Sequence, residues 1–122
     1  MEQLGNSYWL GYGLIIWFSR EWNQDLKIHV EVGPLDYPNR LTLLEALCEQ
    51  GISFRPSGML QGKKYTKIYT ASTSVSDWTD STCVERAMTS LVMSSTFKEF
   101  ETTVLNVLAV LYPQPDSLPS NN

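Results

Sequence analysis

The clearest alternation of apolar and polar positions runs from Asp25 to Val32, where Leu26, Ile28, Val30 and Val32 interleave with Lys27, His29 and Glu31. A period of two is what a half-buried strand requires, with the aliphatic set facing a core and the Lys-His-Glu row on the other face. Before it, Tyr8 to Phe18 is aromatic and β-branched and reads as a first strand, joined to the second by a polar hairpin turn at Arg20 to Gln24. Gly33 to Asn39 then breaks the sheet. Pro38 suits a helix start, because its missing N–H would have no partner in the first turn. Leu41, Leu44, Leu47 and Cys48 recur at helical spacing, and Gly51 follows as a stop signal.

The second half repeats the theme. Ile52 to Arg55 reads as a strand ended by Pro56-Ser57-Gly58, and Lys63 to Thr70 as another, followed by a Ser/Thr-rich loop from Ala71 to Val75. Thr82-x-x-Glu85 and Thr96-x-x-Glu99 have the form of capping boxes. The stripe after the first is Val84, Ala87, Met88, Leu91 and Val92, interrupted at Ser94-Ser95-Thr96. The last helix carries Phe97, Phe100, Val104, Val107, Leu108 and Leu111 with a 3.6-residue period. The predicted order is β-β-α-β-β-α-α. It implies an α+β two-layer sandwich, a four-stranded antiparallel sheet with helices on one face, formed by residues 1–112 as one domain. Residues 113–122, rich in Pro, Ser and Asn, are expected to be a disordered tail.

Composition narrows the function classes. A chain of 122 residues can bury a real core without staples. Its net charge of −4 disfavours a general binder of nucleic acid or anionic membrane, since both need a positive field. No apolar run approaches the roughly 18–20 residues of a membrane span, and the first residues lack the basic region of an export signal. A cytoplasmic location is expected, with Cys48 and Cys83 as free, buried thiols on helices.

Candidate chemistry is thin. One histidine and two distant cysteines do not make a zinc site, so neither a metal nor a cofactor is expected. Gly11 and Gly13 lie inside a strand pattern and suggest a bulge or close contact, not a phosphate loop. His29 and Glu31 share a strand face and, with Lys27, could form an acid–base set. The simpler reading is a solvated polar face. Lys63, Tyr65, Lys67 and Tyr69 are expected on one face of their strand, interleaving cations with aromatic rings. Such a face suits base stacking and phosphate neutralisation, or the rim of a protein interface. The acidic balance of the chain favours the protein contact.

The stretch from Trp17 to Thr70, under half the chain, resembles the C-terminal region of some bacterial PD-(D/E)XK nuclease superfamily proteins. The residues that carry the resemblance are His29-Val30-Glu31-Val32-Gly33-Pro34, Arg40 opening a Leu-rich helix, and Lys64-Tyr65-Thr66-Lys67-Ile68-Tyr69-Thr70. That family's core holds Mg²⁺ with an acid on one strand and (D/E)-x-K on the next. Asp25-Leu26-Lys27 matches the triplet, but no convincing partner acid precedes it on a strand, Glu21 lying in the same turn. The resemblance therefore implies an accessory portion without the catalytic centre.

The reading favoured by the sequence is a small cytoplasmic non-enzymatic interaction or regulatory domain of adaptor, chaperone or inhibitor type. It would bind a protein partner or a second copy of itself as a homodimer, through Tyr65, Lys67, Tyr69, Trp9 and Trp17. The alternatives are a nucleic-acid-associated accessory domain related to PD-(D/E)XK nucleases, and a hydrolytic enzyme using His29 and Glu31.

Overall fold

The computed structural model describes residues 2–9 by their backbone and residues 13–112 with their side chains. Four strands, β1 (Glu2–Trp9), β2 (Leu14–Arg20), β3 (Leu26–Val32) and β4 (Thr66–Thr73), form one sheet in the order β1-β2-β3-β4. Every neighbouring pair is antiparallel. Three helices complete the fold: α1 (Tyr37–Glu49), α2 (Ser81–Met93) and α3 (Ser95–Leu111). The α+β class with an antiparallel sheet is as the sequence predicts. The element order is not, being β-β-β-α-β-α-α.

Two local features explain the difference. The aromatic run from Tyr8 to Phe18 is not one strand, because Gly13 adopts φ +80° and lets the chain reverse between β1 and β2. A left-handed backbone of this kind is cheap only for glycine. The carbonyl of Gly13 accepts the Gly33 N–H at 2.5 Å, tying that turn to the end of β3. The strand expected over Ile52 to Arg55 is not seen. There the Ile52 N–H closes the end of α1 on the Leu47 carbonyl at 3.1 Å, and Pro56 opens a short 3-10 turn, Pro56–Met59. The segment therefore packs Ile52 against the core without joining the sheet. The tail expected at 113–122 lies outside the described residues.

The predicted alternation in β3 holds on the core side. Leu26, Ile28, Val30 and Val32 are fully buried and share one cluster with Leu14, Leu43, Leu44, Leu47, Leu91, Phe97, Val104 and Leu108. Each such side chain contributes about 1.5–3 kcal/mol on burial. The stripe of α1 is Arg40, Leu43, Leu44 and Leu47. Cys48 points to solvent and Cys83 is half-exposed, so neither thiol is the buried hydrophobe expected; both are free. The stop at Gly51 is real, at φ +93°. The capping boxes shift by two residues. Asp80 caps α2 by accepting from the Thr82 N–H at 2.9 Å, and Ser94 caps α3 by accepting from the Phe97 N–H at 3.1 Å. Both side chains reach a backbone N–H that the helix itself leaves without a partner.

Candidate functional site

On the sheet face away from the core cluster, Trp17 of β2 stands directly opposite His29 of β3. The two rings stack at 3.8 Å between centroids with 7° between planes. This lid leaves His29 only 1% exposed, so it does not lie on the solvated face that the sequence suggests. The other side of the imidazole is set by the hairpin. Ser19 Oγ lies 2.8 Å from His29 Nε2 and donates its proton to Glu21. A hydroxyl has one proton, so Nε2 must carry the imidazole hydrogen and donate to Ser19. Nδ1 is then bare, buried and without a partner. Burial, reinforced by Lys67 and Lys27 and opposed by Glu21, pushes the His29 pKa down to about 4. The hydrogen bond from Ser19 chiefly holds the Glu21 carboxyl below its ordinary range.

This geometry weighs against nucleophilic catalysis. A serine activated by histidine donates its proton to the imidazole and must reach a substrate. Here Ser19 donates to Glu21 and is fully buried. Glu31 lies two residues along, half-buried and opposite Lys67, and does not share a proton with His29. Asp25 of the D-x-K triplet sits in the hairpin turn, where its carboxylate accepts from Asn23 at 3.3 Å. Among the described residues, no three His, Cys, Asp or Glu side chains gather as a metal site.

The β4 candidates divide between the two faces. Lys67 is exposed on the outer face, with Nζ 5.7 Å from the centre of the Trp17 ring. Tyr69 is on the opposite face, half-buried against Phe100 at 4.6 Å and Phe97 at 5.4 Å. The expected single Lys-Tyr face fails because the register between β3 and β4 shifts at Val30/Glu31, where Ile68 is an extra residue. A bulge of this kind turns successive side chains out of strict alternation. Tyr65 precedes β4 and is 44% exposed. Trp9 lies in β1, whose side chains are outside the described residues.

Tyr65 and Lys67 do meet in a groove of about 1060 Å³ that follows the outer edge of β4. One bank is the segment from Gln50 to Gly58, and the other includes Thr96, Glu99, Phe100 and Thr103 of α3. Lys27, Arg55, Lys63 and Lys67 line it against the carboxylates Glu31 and Glu99. Because β4 is last in the sheet, its outer edge has no ladder partner among the described residues. Such an edge presents a row of free backbone donors and acceptors.

Behind the groove lies a residue that pattern reading gave no functional role. Arg40 is 2% exposed, and its Nη2 donates to Thr66 Oγ1, which donates in turn to the Gly58 carbonyl at 2.8 Å. Thr66 and Gly58 both line the groove. Arg40 Nε and Nη1 have no partner, and desolvation lowers the pKa of the guanidinium. The signal was available in the sequence, since Arg40 occupies the first place of the i, i+3, i+4, i+7 stripe completed by Leu43, Leu44 and Leu47.

No protein-family model matches the chain, and searches of curated proteins and of solved structures likewise give no match. Among the described residues, no helix is long and apolar enough to cross a membrane.

Proposed function

We propose that this chain is a non-enzymatic interaction domain that takes an extended segment of a protein partner along the outer edge of β4. The observation that carries this reading is the groove itself, in which an unpaired strand edge, an exposed Tyr65 and the half-buried Phe54 lie together. Strand addition at such an edge draws affinity from main-chain hydrogen bonds and specificity from side-chain pockets. Tyrosine is among the residues that dominate interface energy. A partner is favoured over a second copy because β4 carries the exposed Lys67, which would face a like charge if one edge paired with its twin. The burial of Ser19 and His29 supports a binding role over hydrolysis. An exposed free thiol at Cys48 fits a reducing, cytoplasmic setting.

Four cations in the groove favour nucleic acid as the second reading. Against it, Glu31 and Glu99 stand on the groove wall where a continuous phosphate backbone would pass, and the whole chain is acidic. The resemblance to PD-(D/E)XK proteins we carry as a proposal of an accessory portion, not of nuclease activity.

The test is a display selection of extended peptides against the intact chain, with each binder re-measured on Tyr65→Ala and His29→Gln. Binders that lose about ten-fold or more on Tyr65→Ala and nothing on His29→Gln support the reading. It is overturned if no selected binder depends on Tyr65, or if a mixed-sequence oligonucleotide binds at micromolar concentration and physiological salt.

A further inference from the structure

A cation buried without a counterion is costly, because the water it loses is not replaced. Arg40 is in that position: it is 2% exposed, two of its three guanidinium nitrogens lack a partner, and its one bond is to a neutral hydroxyl. Among the described residues, the ion pair present is Lys98–Glu101 on the surface of α3, remote in sequence from Arg40. Arg40 is tied to the groove through Thr66, which it bonds, and Gly58, which Thr66 bonds, both of them lining residues; a methyl group added at Gly58 would run into the Thr66 side chain. Glycine is thus the residue that lets Thr66 and the 3-10 turn close over the guanidinium.

We propose that Arg40 is the buried anchor for a carboxylate side chain of the segment that adds to β4, so that the partner is an acidic extended peptide. This rests on the reading of the groove as a strand-binding edge and names the chemistry of its occupant. Arg55, Lys63, Lys67 and Lys27 give the groove a positive surplus on a chain of net charge −4. In an added strand, alternate side chains fall on one face, so acids at every second position form one row that can point to the core side, while the residues between them cross the outer face near Lys67. On the core side the Thr66 hydroxyl can turn from Gly58 to an incoming carboxylate, and the guanidinium that already bonds that hydroxyl through Nη2 has Nε and Nη1 still to satisfy. An arginine fork matches a carboxylate with two parallel hydrogen bonds, which a lysine cannot reproduce. Glu31 and Glu99 leave room for separate carboxylates between the cations, not for an unbroken phosphate chain.

The experiment compares three synthetic peptides on the intact chain: alternating Glu and Val, alternating Gln and Val, and alternating Lys and Val. A mixed-sequence single-stranded oligonucleotide serves as a fourth probe. Affinity is read by fluorescence anisotropy, and folding of each variant by thermal melt. The Glu peptide should bind about ten-fold or more tighter than the Gln peptide, and the Lys peptide not at all. Arg40→Met and Arg40→Lys should each erase the preference for Glu over Gln. Arg40→Met should also melt no lower than wild type, because it removes an uncompensated charge. If Arg40→Met fails to fold, the Glu/Gln preference of wild type and its loss in Arg40→Lys still decide the matter. Equal binding of Glu and Gln peptides, or a preference that survives Arg40→Lys, overturns the anchor but leaves the strand-binding edge standing. Binding of the oligonucleotide in place of every peptide, or of no probe, overturns both.

Discussion

The buried imidazole of His29 makes the stability of this fold depend on pH in a window that can be worked out in advance. The unfolded side chain titrates near 6.5, whereas the folded one is held at about 4, first by burial and then by Lys67 and Lys27. Between those values the unfolded chain binds more protons than the folded chain. Stability is therefore fully present above the unfolded pKa and is lost as the pH falls through the window towards the folded one. At about 1.36 kcal/mol per unit, the limiting loss is roughly 3 kcal/mol. About 2 kcal/mol of it should already be gone between about pH 7.5 and about pH 5. Glu21 and Asp77, whose pKa values are also lowered, act lower still, below their ordinary values of 4.5 and 3.8. Urea melts of wild type and His29→Gln across that range separate the contributions. The glutamine keeps a donor towards Ser19 without a titrating group, so its stability should be nearly flat where wild type falls. An NMR titration of the folded imidazole reads the same quantity directly. A His29 signal that titrates between about 6 and 7 in the native state, or equal slopes for wild type and variant, would refute the burial of a neutral ring.

Three further outcomes follow from the packing. Phe100→Ala removes a ring that is 9% exposed and lies against Tyr69, and should cost about 3–5 kcal/mol in a urea melt; an unchanged melt would place α3 outside the core. Asp80→Ala removes the cap on the Thr82 N–H and should cost about 1 kcal/mol, with Asp80→Asn recovering most of it. Tyr69→Phe deletes a buried hydroxyl that has no partner, so the variant should be as stable as wild type or more so, and a loss above about 1 kcal/mol would show that the hydroxyl is satisfied.

What the sequence reveals of this fold divides along a physical line. Period-two alternation shows the core face of β3, and the 3.6-residue period shows the stripe of α3, because both depend on one element facing one core. Gly13 stands in the sequence as a glycine within an apolar run, but its left-handed φ, which splits that run into β1 and β2, and its bond to Gly33 are matters of the folded chain. Ile52 to Arg55 has the composition of a strand, but the Ile52 N–H is spent on the end of α1 and Pro56 opens the 3-10 turn. The burial of His29 required knowing that Trp17 stands opposite it, which is a matter of register. The separation of Lys67 from Tyr69 required the register shift at Ile68. Arg40 was legible as a charge in an apolar stripe, but its missing counterion emerges only when Thr66 and Gly58 are brought to it from β4 and the 3-10 turn.

Backbone amide mapping by NMR follows strand addition at β4 residue by residue. Titration of the isotope-labelled chain with the alternating Glu and Val peptide should shift the amides of Thr66 to Thr70 and of Ile52 to Gly58, and slow the exchange of the β4 amides that face the groove. Amides around Trp17 and Ser19 on the outer sheet face should stay in place. Shifts confined to that outer face, with β4 exchange unchanged, would mean that the peptide does not add to the edge of β4.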